Sequence, residues 1–232
     1  MLEKIEILKQ NVDTVVNNLK NNTYKDEPPA KLIAVTKTET TDTIKMLLDL
    51  GITDIAENRL PVIQQKVSEI ENIKEKCKIH FIGRLQSNKI NGIIKSTDFL
   101  HSLDRISIAK EIQKKSEILM RTIPCFLQVN IANESQKAGV SPLEVISFLK
   151  EINSFSNLKI IGLMAMMPFI SDEKVLTHYF QKMRILFENV RDEAITNINM
   201  EELSMGMSND YILAAKQGAT MVRVGSALFK NL

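Results

Sequence analysis

The sequence has no clustered excess of charge and no long hydrophobic run. Its 30 basic and 28 acidic side chains give a formal net charge of +2, whereas proteins that bind nucleic acid or anionic membranes usually carry a clustered basic excess. The longest apolar run, residues 160–170, is interrupted by Gly162 and Pro168 and is too short to span a bilayer. The composition therefore argues against both nucleic-acid binding and membrane association.

Cysteine and histidine are scarce. Cys77 and Cys125 show neither the spacing of a redox motif nor the number needed for a disulfide framework, so we expect two buried thiols in a reducing compartment. His80, His101 and His178 are too widely separated for a metal-ligand motif. The first twenty residues carry charges throughout and do not resemble a signal peptide. We expect a soluble cytoplasmic protein without a metal site.

What the sequence does contain is a regular alternation of short apolar segments and amphipathic helical segments, after an opening helix over residues 2–20. The predicted strands are residues 32–35, 54–58, 78–83, 98–103, 125–130, 159–166, 202–206 and 221–225. The predicted helices between them are residues 42–50, 61–76, 87–94, 106–119, 142–152, 173–190 and 209–217. Such alternation predicts right-handed crossovers and a parallel sheet. About eight units favour a closed (β/α)8 barrel of the TIM type over an open sheet. With no linker or tandem repeat, we expect a single domain over residues 1–232.

In such a barrel the active site lies at the carboxyl ends of the strands and in the loops that follow them. The first predicted strand ends in the polar segment TKT, which places Lys37 at this position. Desolvation there makes an amine easier to deprotonate and so free to form a Schiff base. The alternative is a lysine that caps the strand and simply reaches to water.

The loops after the seventh and eighth predicted strands are the usual phosphate site of these barrels. The first offers Gly206 for close backbone approach and Ser208 as a hydroxyl donor, and the second offers the backbone N–H groups of Gly225 and Ser226. Taken singly, Ser208 fits a helix N-cap and Gly225 a tight turn. Together with Lys37, on a strand that neighbours the eighth in a closed barrel, they favour pyridoxal 5′-phosphate (PLP).

Arg223 lies two residues before Gly225, so the two residues lie on the same side of the strand. From there Arg223 could reach the ring nitrogen of PLP, which PLP proteins pair with either an acid or an arginine. An arginine leaves that nitrogen unprotonated and makes the ring a weaker electron sink. The alternative for Arg223 is an ion pair with an acid inside the barrel.

The motifs AVTKT, ENR, HFIGRLQSNK, HSLD, GLMAM, LSMGMSND and VRVGSALF occur in this order over residues 31–229. This set resembles the pyridoxal phosphate homeostasis protein family, with HFIGRLQSNK and LSMGMS the most specific parts. The resemblance implies a barrel like the N-terminal domain of alanine racemase, with PLP held as an internal aldimine on Lys37. It further implies cofactor contacts at Asn58, Ser204, Met205, Ser208, Arg223, Gly225 and Ser226. The chain departs from the family pattern at Ala56, Ile79 and Lys230, none of which is an expected contact.

The resemblance also implies a role in intracellular PLP (vitamin B6) homeostasis, without an established catalytic reaction. A racemase needs a second acid or base on the other face of the cofactor, which in the related racemases is a tyrosine supplied by a C-terminal domain and the partner subunit. The chain ends at Leu232, and Tyr24, Tyr179 and Tyr211 do not appear in positions aimed at that face. We therefore expect no catalytic residue and no robust turnover.

Two enzymatic alternatives use the same barrel. One is a PLP-dependent amino-acid racemase, and the other is a class I aldolase, for which Glu57 would be the neighbouring carboxylate. Lys137, in the loop after the fifth strand, is either a rim lysine that passes PLP outward or a solvated surface lysine. The expected partners are PLP and PLP-requiring apo-enzymes, and we expect the protein to be a monomer.

Overall fold

Eight parallel strands close into a barrel in chain order in the computed structural model, which describes residues 2–134 and 136–232. The strands are β1 (Lys31–Val35), β2 (Asp54–Glu57), β3 (Lys78–Phe81), β4 (Phe99–Leu103), β5 (Ile123–Val129), β6 (Leu158–Ala165), β7 (Ile198–Ser204) and β8 (Met221–Val224). Strand β1 pairs with both β2 and β8, which closes the barrel. The predicted barrel is confirmed.

Helices follow the strands on the outside of the barrel, and one additional helix precedes β1, as predicted. The helices are α1 (Leu2–Lys20), α2 (Thr41–Asp49), α3 (Leu60–Glu69), α4 (Ile73–Lys76), α5 (Ile90–Ser96), α6 (Ile106–Ile118), α7 (Val145–Ile152), α8 (Glu173–Asp192) and α9 (Tyr211–Lys216). Short 3-10 turns, Ser87–Lys89 and Pro142–Glu144, lead into α5 and α7.

The helix predicted over residues 61–76 is in fact two helices, α3 and α4. Ile70 is extended, and Asn72 adopts a left-handed backbone with φ of 55°, a conformation that asparagine tolerates better than most residues. Ile70 and Ile73 are both buried. The apolar spacing therefore continues across a change of chain direction, which explains why periodicity alone suggested one helix.

Gly162 in β6 lies where the pairing with the neighbouring strands is irregular. The register shifts at this position on both the β5 side and the β7 side. A Cβ atom on Gly162 would lie 1.7 Å from the carbonyl oxygen of Glu202, which is far inside van der Waals contact. The absence of a side chain at Gly162 lets β7 approach β6 closely at this irregularity.

Buried apolar side chains form two clusters, one between the barrel and its helices and a smaller one inside the barrel. The inner cluster consists of Ile33, Ala56, Phe126, Ile161, Met164 and Met221. Polar side chains share this interior, among them His80, His101, Ser204 and Arg223, all of them buried. Within the described part of the chain, no helix combines the length and apolarity needed to cross a membrane.

Candidate functional site

A cavity of about 770 Å³ opens at the carboxyl ends of the strands. Six of the eight residues predicted from the sequence line it: Lys37, Asn58, Ser208, Arg223, Gly225 and Ser226. They come from the ends of β1, β2 and β8 and from the loop after β7, so the fold brings together residues from both ends of the chain. The volume lies within the usual range for small-molecule sites, about 300–1,000 Å³.

Lys37 follows β1 by two residues and is exposed to the cavity. The preceding residue, Thr36, is fully buried, and its N–H donates to the carbonyl oxygen of Ala56 at 3.0 Å. The backbone before Lys37 is thus fixed, while its amine remains accessible. The desolvation expected from the sequence is not observed, because the strand ends before Lys37 and the side chain projects into the open cavity.

A buried ion pair between Lys66 and Glu57 holds the Thr36 carbonyl group in place. The Lys66 amine donates to the Thr36 carbonyl oxygen at 2.7 Å and to Glu57 Oε1 at 2.6 Å. The Thr36 hydroxyl donates to the same carboxylate oxygen at 2.6 Å. Glu57 therefore faces Lys66 and does not line the cavity, so the carboxylate named for the aldolase alternative is not available there.

The loops after β7 and β8 meet through the Ser208 hydroxyl. The N–H groups of Gly225 and Ala227 donate to Ser208 Oγ at 3.1 and 3.3 Å. Ser208 lies three residues before α9 and makes this inter-loop contact rather than capping the helix. An electronegative oxygen is thus already held by two backbone N–H groups, as the oxygens of a bound anion would be.

Gly206 gives the first of these loops its shape. Its φ of +93° lies in the region that favours glycine, and a Cβ atom there would lie 2.5 Å from Cβ of Ala214 in α9. The loop therefore packs against α9 with no room for a side chain, which places Met207 and Ser208 at the cavity.

Asn58 is held in the cavity wall by the loop after β3. A Cβ atom on Gly83 would lie 2.1 Å from the Asn58 carbonyl oxygen, so only glycine allows this approach of the two backbones. Gly83 belongs to the motif HFIGRLQSNK. The glycine in that motif has a structural role, which is to let the β3 loop pack directly against the residue that follows β2.

Arg223 is buried, with its side chain facing the cavity. Its Nη1 donates to Ser204 Oγ at 2.6 Å, and its Nη2 donates to the Ala165 carbonyl oxygen at 2.8 Å. Burial lowers the pKa of Arg223 to about 10, and the carboxylate of Asp210 opposes this shift. The guanidinium therefore stays charged at neutral pH. Within residues 2–134 and 136–232 it forms no ion pair of the kind suggested as the alternative.

Ser204 and Met205 were expected on the cavity wall, but the structure places neither there. Ser204 is fully buried inside the barrel, where its hydroxyl contacts Arg223 and His101. Met205 is fully buried in the cluster between barrel and helices. Successive residues at the end of a strand point to opposite faces of the sheet, so at most one of the two could have faced the barrel interior.

Asp210 also lines the cavity, although it is not among the site residues predicted from the sequence. Its carboxylate accepts a hydrogen bond from the N–H of Met207 at 2.5 Å. Burial raises the pKa of Asp210, while the Met207 hydrogen bond and the Arg223 charge oppose the rise. The signal that could have identified it is its place two residues after Ser208, in the same loop.

The three tyrosines and Lys137 lie outside the cavity wall. The Tyr211 hydroxyl oxygen accepts from Asn18 at 2.7 Å, and the Tyr24 ring lies under the guanidinium of Arg184. Lys137 forms an ion pair with Glu134 at 2.8 Å.

Comparison with known proteins agrees with this geometry. The family model described as the alanine racemase N-terminal domain matches residues 7–231. The pyridoxal phosphate homeostasis protein of Aquifex aeolicus is 34% identical over 205 residues, covering 88% of each chain. The Helicobacter pylori protein of that name is 32% identical over 227 residues, covering 96% of this chain and 98% of the relative.

Solved structures show the same fold. PipY of Synechococcus elongatus, determined without and with PLP bound, is 27% identical, with TM-scores of 0.87 and 0.85; each comparison covers 96% of this chain and 99% of PipY. Alanine racemase of Clostridium difficile, at 14% identity and a TM-score of 0.75, covers 98% of this chain and 60% of the racemase chain. That second likeness concerns the fold alone.

Proposed function

This chain belongs to the alanine racemase N-terminal domain family and, within it, to the pyridoxal phosphate homeostasis proteins, and on that premise we propose that it binds PLP at the mouth of its barrel and takes part in intracellular vitamin B6 homeostasis. The observation that carries the proposal is the presence, in one cavity, of an accessible lysine and a backbone cradle for an anion. These are the two groups that an aldehyde with a phosphate tail requires.

The residues present fit this cofactor. When bound, PLP supplies an aldehyde that condenses with a primary amine, and Lys37 offers an unpaired amine within the described residues. The N–H groups of the β8 loop and the Ser208 hydroxyl are suited to phosphate oxygens. Arg223 is proposed to face the ring nitrogen and Asn58 to contact the cofactor edge.

Ser204 and Met205 have indirect roles in this proposal. Ser204 is proposed to act by holding Arg223, to which it is hydrogen-bonded. Met205 is proposed to act through packing, since it lies in the cluster behind the barrel wall.

The proposed role is storage or delivery of PLP without robust catalysis. Support comes from the tyrosines, since each of the three lies away from the cavity wall, so the second acid or base of a racemase is not supplied by a tyrosine of this chain. Support also comes from Arg223, since a guanidinium at the ring nitrogen does not protonate it as a carboxylic acid would. PLP-requiring apo-enzymes are the proposed recipients.

We further propose a single-domain monomer in the cytoplasm. A closed barrel leaves no sheet edge for association with a second copy. The two cysteines are free, as expected in a reducing compartment. Sedimentation equilibrium giving a mass above the 26.3 kDa chain mass would contradict the monomer.

Absorbance spectroscopy with peptide mapping tests the binding proposal. The PLP-loaded protein is expected to show a visible band that disappears on borohydride reduction, with the pyridoxyl group mapped to Lys37. Lys37→Ala should lose the band, and Lys45→Ala, which removes an exposed lysine of α2, should retain it. A protein that cannot be reconstituted with PLP, or a label on another lysine, would refute the proposal.

A further inference from the structure

A continuous chain of buried polar side chains runs through the barrel interior to the cavity. We name it the polar chain; its members are Asp54, His80, His101, Ser204 and Arg223. Asp54 Oδ1 lies 3.0 Å from His80 Nε2, and His80 Nδ1 lies 2.8 Å from His101 Nε2. His101 Nδ1 lies 3.1 Å from Ser204 Oγ, which accepts from Arg223. Its residues come from β2, β3, β4, β7 and β8, and the polar chain connects the amino-terminal end of β2 with the cavity.

The two ends of the polar chain have opposite chemistry. The Arg223 guanidinium can only donate hydrogen bonds, and an ionised carboxylate can only accept them. Burial raises the pKa of Asp54, but the hydrogen bond with His80, the Lys31 charge and the hydrogen bond with Thr53 act against burial, and the pKa lies below its usual value. Asp54 is therefore ionised at neutral pH. A donor-only end and an acceptor-only end restrict how the protons between them can be arranged.

The Ser204 hydroxyl indicates the direction of the hydrogen bonds at the cavity end of the polar chain. Its oxygen accepts from Arg223, which has no acceptor atom, and its other hydrogen-bond partner within the described residues is His101 Nδ1. The arrangement in which the hydroxyl hydrogen also has an acceptor is the one in which Ser204 donates to His101 Nδ1. His101 then carries its proton on Nε2 and donates to His80 Nδ1. His80 in turn carries its proton on Nε2 and donates to Asp54.

Burial favours the neutral form of the His101 imidazole. His101 is fully buried, and burial above all, with the Arg223 charge acting in the same direction, holds its pKa well below its usual value. Its ring stacks on Phe126 with centroids 4.1 Å apart, and the His80 ring stacks on Phe99 at 4.5 Å. Both rings are therefore fixed in orientation by apolar contacts as well as by hydrogen bonds.

We propose that the polar chain is a positioning device that holds the Arg223 guanidinium in one orientation toward the cavity, in the order Arg223 to Ser204 to His101 to His80 to Asp54, each residue donating to the next. This inference rests on the proposed function, because it assigns Arg223 to the ring nitrogen of PLP. His101 and His80 are positioning residues and do not touch the ligand. Of the five N–H groups of Arg223, Ser204 and Ala165 engage two within the described residues, so the remaining donors are available to a ligand.

Histidine NMR of the PLP-free protein tests the arrangement without reference to the cofactor. With 15N-labelled histidine at pH 7.5, long-range 1H–15N spectra should show both His80 and His101 protonated only on Nε2. The exposed His178 of α8 serves as the internal reference, and its signals are assigned by their loss in His178→Asn. A doubly protonated His80, or His101 protonated on Nδ1, would overturn the proposal even if PLP binds.

The Ser204→Ala variant tests the consequence for the ligand. Loss of this hydrogen bond should release PLP about tenfold faster and shift both the maximum and the titration midpoint of the bound-cofactor band, while borohydride still labels Lys37. Ser116→Ala is the matched control, because it removes a buried hydroxyl that has no hydrogen-bond partner within the described residues. Equal release rates and identical spectra for the two variants would overturn the positioning role. Absence of PLP binding in the wild-type protein would refute the proposed function instead.

Discussion

The buried Lys66–Glu57 pair beside Thr36 is held at a high electrostatic cost, because only 8% of the Lys66 side chain and 1% of the Glu57 side chain are exposed. The second carboxylate oxygen of Glu57 is buried with no hydrogen-bond partner among the described residues. Removing the cation therefore leaves an uncompensated charge in the protein interior. The pair is expected to matter more for the placement of the chain before Lys37 than for net stability.

Lys66→Met should lower the free energy of unfolding by about 3–5 kcal/mol, because it strands the Glu57 carboxylate. The double variant Lys66→Met/Glu57→Leu should recover most of this loss, since neither charge of the pair remains. Urea denaturation at pH 7.5 measures both. Lys45→Met, which breaks the exposed pair with Asp42, should change stability by less than about 1 kcal/mol. A double variant no more stable than Lys66→Met would contradict this account.

His101 should make stability depend on pH between 7.5 and 5.5. Burial holds its pKa well below the usual 6.5 in the folded protein, whereas the imidazole of the unfolded chain takes up a proton as the pH falls through 6.5. The unfolded state then binds more protons, so the free energy of unfolding decreases with falling pH, by at most about 1.4 kcal/mol per pH unit for this group. Urea denaturation across this range measures the slope.

Two histidine variants separate the contribution of His101 to this pH dependence from that of other groups. His101→Asn should flatten the slope, because it removes the imidazole whose pKa burial lowers in the folded protein. His178→Asn should retain it. An unchanged slope in the His101 variant would show that other groups cause the pH dependence.

At the residue scale the sequence predicted those site positions that depend on strand ends alone. Lys37, Asn58 and Gly225 each follow a strand, and strand ends of a barrel meet at one face, so their convergence follows from topology. The contact of His80 with His101, and of His101 with Ser204 more than a hundred residues later, depends on how side chains align across the barrel interior. Strand periodicity carries no information about that alignment.

At the scale of elements, the loop after β3 is shaped by its contact with the residue after β2. Gly83→Ala should destabilise the protein by about 1–3 kcal/mol and weaken PLP retention, since the new methyl would displace the Asn58 backbone. Thermal unfolding and PLP release rates measure the two effects.

Gly92→Ala is the comparison for Gly83→Ala. A methyl at Gly92 would meet the end of the Leu60 side chain, which can move, and alanine is the better helix former within α5. This variant should retain PLP as the wild type does. Equal PLP release from both variants would mean that Asn58 is not positioned by the β3 loop.

The break between α3 and α4 shows where element-level prediction stops. Asparagine tolerates the left-handed backbone that Asn72 adopts, so it could have indicated the break. The spacing of Ile70 and Ile73, however, is that of the apolar face of a continuous helix. The early starts of β5 and β7, at Ile123 and Ile198, were missed because Pro124 is the second residue of β5 and the polar residues Asn199 and Glu201 interrupt the beginning of β7. Pairing with neighbouring strands extends them beyond their apolar cores.

At the scale of the whole molecule, PLP should stabilise the folded protein by binding it and not the unfolded chain. At a free concentration of 100 times Kd the gain is about 2.7 kcal/mol, which corresponds to roughly 5–10 °C in Tm for a chain of this size. Differential scanning calorimetry with increasing PLP measures the shift. Lys37→Ala should show a much smaller shift, and equal shifts in both proteins would indicate binding that does not use Lys37.

The overall architecture was the most predictable property of the chain. The number and spacing of strand and helix segments are properties of the whole sequence, so small errors at element boundaries leave the closed barrel unchanged. The accessibility of Lys37 and the orientation of the Ser204 side chain into the barrel are local properties, because each depends on where a single strand ends.

The pairing of β1 with β8 has a further consequence for when the protein can acquire its ligand. Lys31 to Ala34 pair with Met221 to Val224, so the lysine and the anion cradle come together only when the first and last strands have joined. A ribosome-bound chain that still lacks β8 has no complete site, so PLP bound at this site cannot assist the early steps of folding. Under the proposed function, PLP binding at this site is therefore expected only after the last strand has joined the barrel, so newly made protein starts without PLP.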